Sequence, residues 1–252
     1  GRINTSLRVN SNGIERAYVL AALHDRPRRI LVIGLSSGAW TRVLTRFAGV
    51  REIDVVEINP GYLELIRAQP EVAAILADRR VRVHIDDGRR WLLRNPDERY
   101  DLIVMNTTLH WRAYVTNLLS IECLSLMRRH LNAGGIMTFN TTSSPDSLWT
   151  ASRVLPFVRL YRNFAYASDH DFTRIDEESM ERVYRIAERG KALLDPADAA
   201  DAAAVASMLR VPFISPARVA ELAGRPLEVI TDDNMLTEYR YGRPNRLLPG
   251  FN

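Results

Sequence analysis

Short continuous apolar runs alternate along the first 140 residues with segments whose apolar positions recur at helical spacing. Ile30-Leu31-Val32-Ile33 leads straight into a Gly-x-x-x-Gly turn, Gly34 to Gly38, and an amphipathic segment with Trp40, Val43, Leu44 and Phe47 follows. Continuous apolar runs of this kind suit strands buried on both faces of a parallel sheet. The pattern predicts strands at 29–33, 53–58, 81–85, 100–105 and 135–139. It predicts helices at 14–23, 39–48, Pro60 to about 68, 90–93 and 116–131. The last helix is expected to stop at Asn132-Ala133-Gly134-Gly135. A helix at 146–155 then leads to two strand-like runs, 157–162 and 163–167.

Beyond about residue 172 the character changes. An amphipathic helix is expected at 176–189, then an Ala/Asp-rich segment at 197–209, a short helix at 216–223, a strand at 227–230 and an irregular tail from 240. Residues 1–13 read as an edge hairpin or an arm. Strands alternating with helices predict an α/β fold: a Rossmann-like, mostly parallel sheet with helices on both faces, plus a smaller, mainly helical C-terminal extension. The expected boundaries are an arm and helix over 1–28, the Rossmann-like domain over 29–172 and the extension over 173–252.

Composition narrows the function classes. The chain has 252 residues, 46% of them hydrophobic, which is enough for a full core. The net charge is +4, yet Lys191 is the only lysine, and the arginines are scattered among Asp and Glu rather than set in a basic block with aromatics. That pattern argues against nucleic-acid binding. A single cysteine, Cys123, excludes an internal disulfide and fits a reducing, cytoplasmic setting. Cys123 itself reads as a core residue of its helix. No run is long enough to span a membrane. The histidines are isolated and form no metal-ligand pattern.

In an open parallel sheet, ligands bind outside the carboxyl ends of the strands. That rule gathers Gly34 to Gly38, Glu57, Asp86, Asp87, Asn106 to Thr108 and Asn140 to Ser144 onto one rim. Glu57 ends the second strand about 20 residues after the glycine turn, where a carboxylate can accept both ribose hydroxyls of a nucleoside; alternatively it is a solvated strand-end acid. Asp87 can accept from an adenine amine, or cap the short helix that follows it, with Asp86 open to the same capping role.

Ile30 to Trp40, VVEINP at 55–60, DDGRRWL at 86–92, YDLIVMNTT at 100–108 and LNAGGIMTFN at 131–140 resemble the successive motifs of class I S-adenosylmethionine-dependent transferases. Within that superfamily they are most similar to the spermidine/spermine synthase group. NTTLHWRAYVTNLLSIECL and ITDDNMLTEY resemble the synthase-like domains that in many bacteria are joined to membrane-spanning segments. The resemblance implies a small-molecule transferase, with an amine as one acceptor class and a homodimer as one assembly. It implies a cytoplasmic location, either free or as the cytoplasmic domain of a membrane protein. It implies S-adenosylmethionine or its decarboxylated form as cofactor, leaving S-adenosylhomocysteine or methylthioadenosine. Cofactor contacts would fall on Gly34, Ser36, Gly38, Glu57, Ile58, Asp86, Asp87, Gly88, Asn106 and Thr107.

The chain departs from the family where the acceptor is handled. Aminopropyltransferases carry an Asp-x-x-Asp-Pro-type segment after the fourth strand; this chain has Asn106-Thr107-Thr108-Leu109-His110. An amide neither takes a proton as a carboxylate does nor neutralises an ammonium group. Asn106, His110 and Tyr18 are the candidate catalytic groups, with His110 either a general base or a hydrogen-bonded loop histidine. Asp169, Asp171, Asp232 and Asp233 are the acids open to replacing the missing carboxylates, and Trp40 and Trp111 are candidate walls for a sulfonium. Three readings follow: alkyl transfer to an unidentified acceptor, methyl transfer or cofactor cyclisation, and a non-catalytic nucleoside-sensing domain.

Overall fold

The computed structural model describes residues 4–9, 11, 13–108, 116–188, 190–234 and 236. In chain order the elements are α1 (Glu15–Leu23), β1 (Arg29–Ile33), α2 (Ala39–Leu44), β2 (Glu52–Glu57), α3 (Gly61–Arg67), α4 (Pro70–Ala73), β3 (Val81–Ile85), α5 (Gly88–Arg94) and β4 (Tyr100–Met105). Next come α6 (Thr116–Leu119), α7 (Ile121–Arg129), β5 (Leu131–Asn140), α8 (Pro145–Ala151), β6 (Phe157–Tyr161) and β7 (Phe164–Ser168). The chain continues with α9 (Glu177–Tyr184), β8 (Ala187–Glu188), β9 (Lys191–Ala192), α10 (Ala199–Leu209) and α11 (Pro216–Ala223). A seven-stranded sheet runs in the order β3-β2-β1-β4-β5-β7-β6, the Rossmann-like arrangement that the alternating pattern predicts.

The chain divides into two compact units, residues 1–87 with 172–212 and residues 88–171 with 213–252. In the first, β1, β2 and β3 are parallel neighbours in the registers Ile33↔Val56 and Glu57↔Ile85. The apolar residues of β1 and β2 are buried, as continuous apolar runs require. Asp54 is a buried charge inside β2; His84 Nε2 lies 2.8 Å from its Oδ1, and the guanidinium Nε of Arg82 lies 3.3 Å away. A charge withdrawn from water is tolerable only with such partners.

In the second unit β4 and β5 are parallel, and β7 pairs antiparallel with both β5 and β6. Leu160 of β6 exchanges two backbone hydrogen bonds with Ile214, at 2.8 and 2.9 Å.

Four local expectations need correction. The helix expected over 116–131 is two helices, divided at Ser120, whose Oγ accepts the Cys123 N–H at 3.3 Å and caps α7. The expected stop at Asn132 to Gly135 lies inside β5, where three residues of β4 (Tyr100 to Leu102) span six of β5 (Leu131 to Ile136). Gly134 sits there at φ +76°, and a Cβ on Gly135 would stand 2.9 Å from Asn132 O, so the glycine pair serves a bulge. The helix expected to reach 189 ends at Tyr184, because Ala187–Glu188 pairs antiparallel with Lys191–Ala192 as β8 and β9.

Residues 227–230 form no strand, and side chains of α8 take two of their amides. Glu228 N–H donates to Asp146 Oδ1 at 2.8 Å and Ile230 N–H to Thr150 Oγ1 at 2.9 Å. Alternate residues of the segment thus meet an i, i+4 pair on a helix. The same Asp146 carboxylate is 0% exposed and is paired with Arg225.

Candidate functional site

In the first unit the glycine turn and the carboxyl end of β2 are built as one piece. Gly34 N–H donates to Val56 O at 2.8 Å, which continues the β1–β2 ladder past the end of β1. Glu57 is buried, and each of its carboxylate oxygens accepts a backbone amide: Oε2 from Leu35 at 2.7 Å and Oε1 from Asn59 at 2.8 Å. Asp86 N–H donates to Glu57 O at 3.2 Å, which brings the end of β3 alongside. Gly34, Ser36 and Gly38 all have positive φ, at 91°, 49° and 76°. For Ser36 this is a conformation a non-glycine residue seldom takes outside functional turns.

Gly38 is glycine for packing as well as for its φ. A Cβ there would meet Ile75 Cδ1 at 3.0 Å and Ile66 Cδ1 at 3.2 Å. The bare backbone of Gly38 therefore seats α2 against the apolar face of the helices after β2.

Of the remaining expected contacts, Ile58 stands 68% exposed beside the buried Glu57. An aliphatic side chain left in water at that point is a ready face for an aromatic ring, as an adenine would supply. Asp86 Oδ1 accepts the Asp87 N–H at 2.7 Å, and both residues are half-buried. Gly88 is buried at the start of α5. Trp40 is buried on α2.

Tyr18 is anchored by its hydroxyl. Its hydroxyl donates to Leu7 O at 2.9 Å, tying α1 to the amino-terminal arm. Burial pushes the phenol up to about 12, against the neighbouring Arg46 cation, so it stays protonated at neutral pH. That arrangement suits a structural tie.

In the second unit Asn106 and Thr107 follow β4, half-buried. Thr108 is buried and its hydroxyl donates to Asn140 O, linking the ends of β4 and β5. Asn140 Oδ1 in turn accepts from Thr142 N–H at 2.9 Å and Asn163 Nδ2 at 3.2 Å. Thr142 and Ser143 both have positive φ, at 51° and 61°, so this strand end also carries backbone strain. His110 and Trp111 lie outside the described residues.

Two of the acids considered as replacements for the missing carboxylates, Asp232 and Asp169, are engaged with other groups. Asp232 pairs in bidentate fashion with Arg89, at 2.7 Å (Nη1 to Oδ1) and 2.5 Å (Nη2 to Oδ2). The Arg89 hydrogen bonds hold its carboxyl below the usual aspartate range. Asp169 accepts the Gly134 N–H at 3.0 Å near the amino end of β5, the end opposite Asn140, and Asp171 follows two residues later. Asp233 is exposed.

The fold is that of class I S-adenosylmethionine-dependent transferases. Two solved structures share it at 18% sequence identity: a spermidine synthase in complex with the transition-state analogue AdoDATO, with a TM-score of 0.63 over 79% of this chain and 72% of that one, and the spermidine synthase from Thermotoga maritima, at 0.61 over 79% and 71%. Human methyltransferase-like protein 13 in complex with SAH also shares it, at 18% identity and a TM-score of 0.53, over 79% of this chain and 92% of that one.

Within that class, the spermine/spermidine synthase domain profile matches residues 17–159, and the chain belongs to this family. The polyamine aminopropyltransferase of Agathobacter rectalis is 40% identical over 92 residues, which are 36% of this chain and 32% of that protein. The polyamine aminopropyltransferase of Streptococcus pneumoniae serotype 4 is 33% identical over 123 residues, 48% and 42% of the two chains. The chain therefore matches less than half the length of these relatives.

Proposed function

We propose that this domain is an alkyl transferase that binds S-adenosylmethionine or its decarboxylated form, with the adenosyl group against the first unit. The observation that carries the reading is the state of Glu57. An ionised carboxylate offers about four lone-pair positions; two accept Leu35 and Asn59 amides, and the others are available to the two ribose hydroxyls. Ile58 then covers the adenine ring and Asp87 accepts its amine. The cofactor, when bound, supplies an alkyl group on a sulfonium that is already a good leaving group. The protein's part is to hold the ribose and adenine and to set the acceptor in line, and positioning of that kind supplies most of the rate gain.

Asn106 and Thr107 are proposed to orient the acceptor, and His110 to take its proton. With an amide at 106, a doubly charged diamine loses the carboxylate that would balance it. That favours an acceptor other than the usual diamine, and it also keeps methyl transfer open as a second reading. A cytoplasmic setting suits either chemistry.

Calorimetric titration with decarboxylated S-adenosylmethionine, S-adenosylmethionine and methylthioadenosine tests the assignment. Binding of at least one is expected, with Glu57→Gln weakening it. No binding of any of the three overturns the reading.

A further inference from the structure

At the amino ends of β2 and β3, the opposite end of the first unit's sheet from Glu57, lies a cavity of about 600 Å³ lined by Arg42, Arg46, Arg80, Arg185, Asp78 and Glu188, among others. Its wall carries four arginines and two acids. Asp78 is taken up by its own neighbour, Arg80, through a 2.7 Å pair. Arg185 pairs with Glu181 on the exposed face of α9.

That leaves Arg42 and Arg46, one helical turn apart on and just after α2, to share the single carboxylate of Glu188. Both are largely withdrawn from water, with side chains 13% and 6% exposed. Two guanidiniums carry ten N–H bonds between them, and one carboxylate cannot satisfy them. Accordingly Arg42 Nε, Arg46 Nε and Arg46 Nη1 are buried without a hydrogen-bond partner. Burial and the Arg42 charge both press on the Arg46 cation. Buried charge of one sign is costly, and among the described groups of this cavity only Asp78, whose carboxylate is already bonded to Arg80, bears on it besides Glu188.

We propose that this cavity is a binding site for a phosphate group carried by a soluble small molecule, with Glu188 as its built-in competitor. A phosphate presents three strong acceptor oxygens and up to two negative charges, which match paired guanidinium forks better than a carboxylate does. The cavity has room for the organic part of such a molecule beside the phosphate. Glu188 sits on a two-residue strand of a two-stranded hairpin and is 35% exposed, so it can swing aside at small cost. Phosphate and Glu188 would then exchange on the same two arginines. Nothing in this site involves Glu57 or the adenosyl assignment.

Thermal unfolding of the intact chain with inorganic phosphate and with pyrophosphate, against chloride at equal ionic strength, tests the proposal. Both anions are expected to raise the melting temperature in a saturable way, as a ligand of the native state does. Glu188→Gln removes the competitor and is expected to tighten binding by up to about fivefold, the size of one lost charge–charge contact. Arg46→Met is expected to abolish the shift. If that variant does not fold, Arg42→Gln, at the other arginine of the pair, decides instead by weakening it. Absence of a saturable shift in both the parent and Glu188→Gln overturns the proposal, as does a shift that Arg42→Gln and Arg46→Met leave unchanged. Sedimentation with phosphatidate-containing vesicles, without a response to either free anion, would transfer the site to a lipid headgroup and overturn the soluble ligand.

Discussion

The backbone amide of Leu35 and the carboxylate of Glu57 meet at 2.7 Å, so the turn after β1 and the end of β2 are held by one buried side chain. Replacing Glu57 therefore has two separable effects. Glu57→Ala leaves the Leu35 and Asn59 amides without their acceptor and is expected to cost about 1–3 kcal/mol of stability, read by urea unfolding. Glu57→Gln keeps one acceptor oxygen near the turn. It is expected to retain most of the stability while weakening methylthioadenosine binding by about tenfold, read by calorimetry. Equal loss of stability in both variants would show that charge rather than hydrogen bonding holds the turn.

Gly38→Ala and Gly190→Ala separate backbone strain from packing. Both glycines have positive φ, +76° and +79°, but a Cβ at Gly38 meets Ile75 and Ile66 within 3.2 Å while one at Gly190 meets nothing within 4 Å. Gly190→Ala is expected to cost about 1 kcal/mol. Gly38→Ala is expected to cost about 1–3 kcal/mol beyond that, the usual range for overpacking. Urea midpoints of the two variants give the comparison.

The Arg89–Asp232 pair makes a pH-dependent contribution. Asp232 has a folded-state pKa below its unfolded value, so its stabilisation is present above the ordinary aspartate range and is lost as pH falls through the folded value. Both side chains are partly in water, so the contribution at neutral pH is about 1 kcal/mol or less. Asp232→Asn is expected to be less stable than the parent by that amount at neutral pH. The gap should close as pH falls below about 4. Urea unfolding across that range measures it.

Tyr18→Phe removes the hydroxyl that donates to Leu7 O. A loss of about 1 kcal/mol is expected, with turnover of whichever acceptor is found left unchanged. A large fall in turnover at unchanged stability would return Tyr18 to the reaction.

Asn106→Asp restores a carboxylate after β4. Release of methylthioadenosine from decarboxylated S-adenosylmethionine in the presence of putrescine is expected to rise at least tenfold over the parent. An unchanged rate would place the barrier to diamine transfer elsewhere.

The sheet was legible in the sequence because its signal is local. A run such as Ile30 to Ile33 has only one comfortable environment, and five of the seven sheet strands fall within a few residues of the spans the pattern predicts as parallel strands. Features that depend on distant partners were not legible. Residues 227–230 alternate like a strand, but two of their amides go to the side chains of Asp146 and Thr150 on α8. Asn132 to Gly135 reads as a helix stop because glycine ends helices and makes bulges with the same positive φ. Within the candidate site, the place of Glu57 was readable from its distance to the glycine turn; its clamp on Leu35 and Asn59 was not. The Arg42–Arg46 pair had a faint signature, two arginines at i and i+4 on a short helix. Its partner, Glu188, lies 142 residues from Arg46.

The reciprocal bonds between Leu160 and Ile214 have a bearing on assembly. They occupy β6, the terminal strand of the sheet in the second unit, with backbone from the segment before α11. An open strand edge is a template on which a second chain can add its own strand. Here the amide and carbonyl at the middle of β6 are already spent, so two copies cannot extend their sheets through Leu160 without first peeling Ile214 away. The contact acts as a guard against strand addition at the middle of β6.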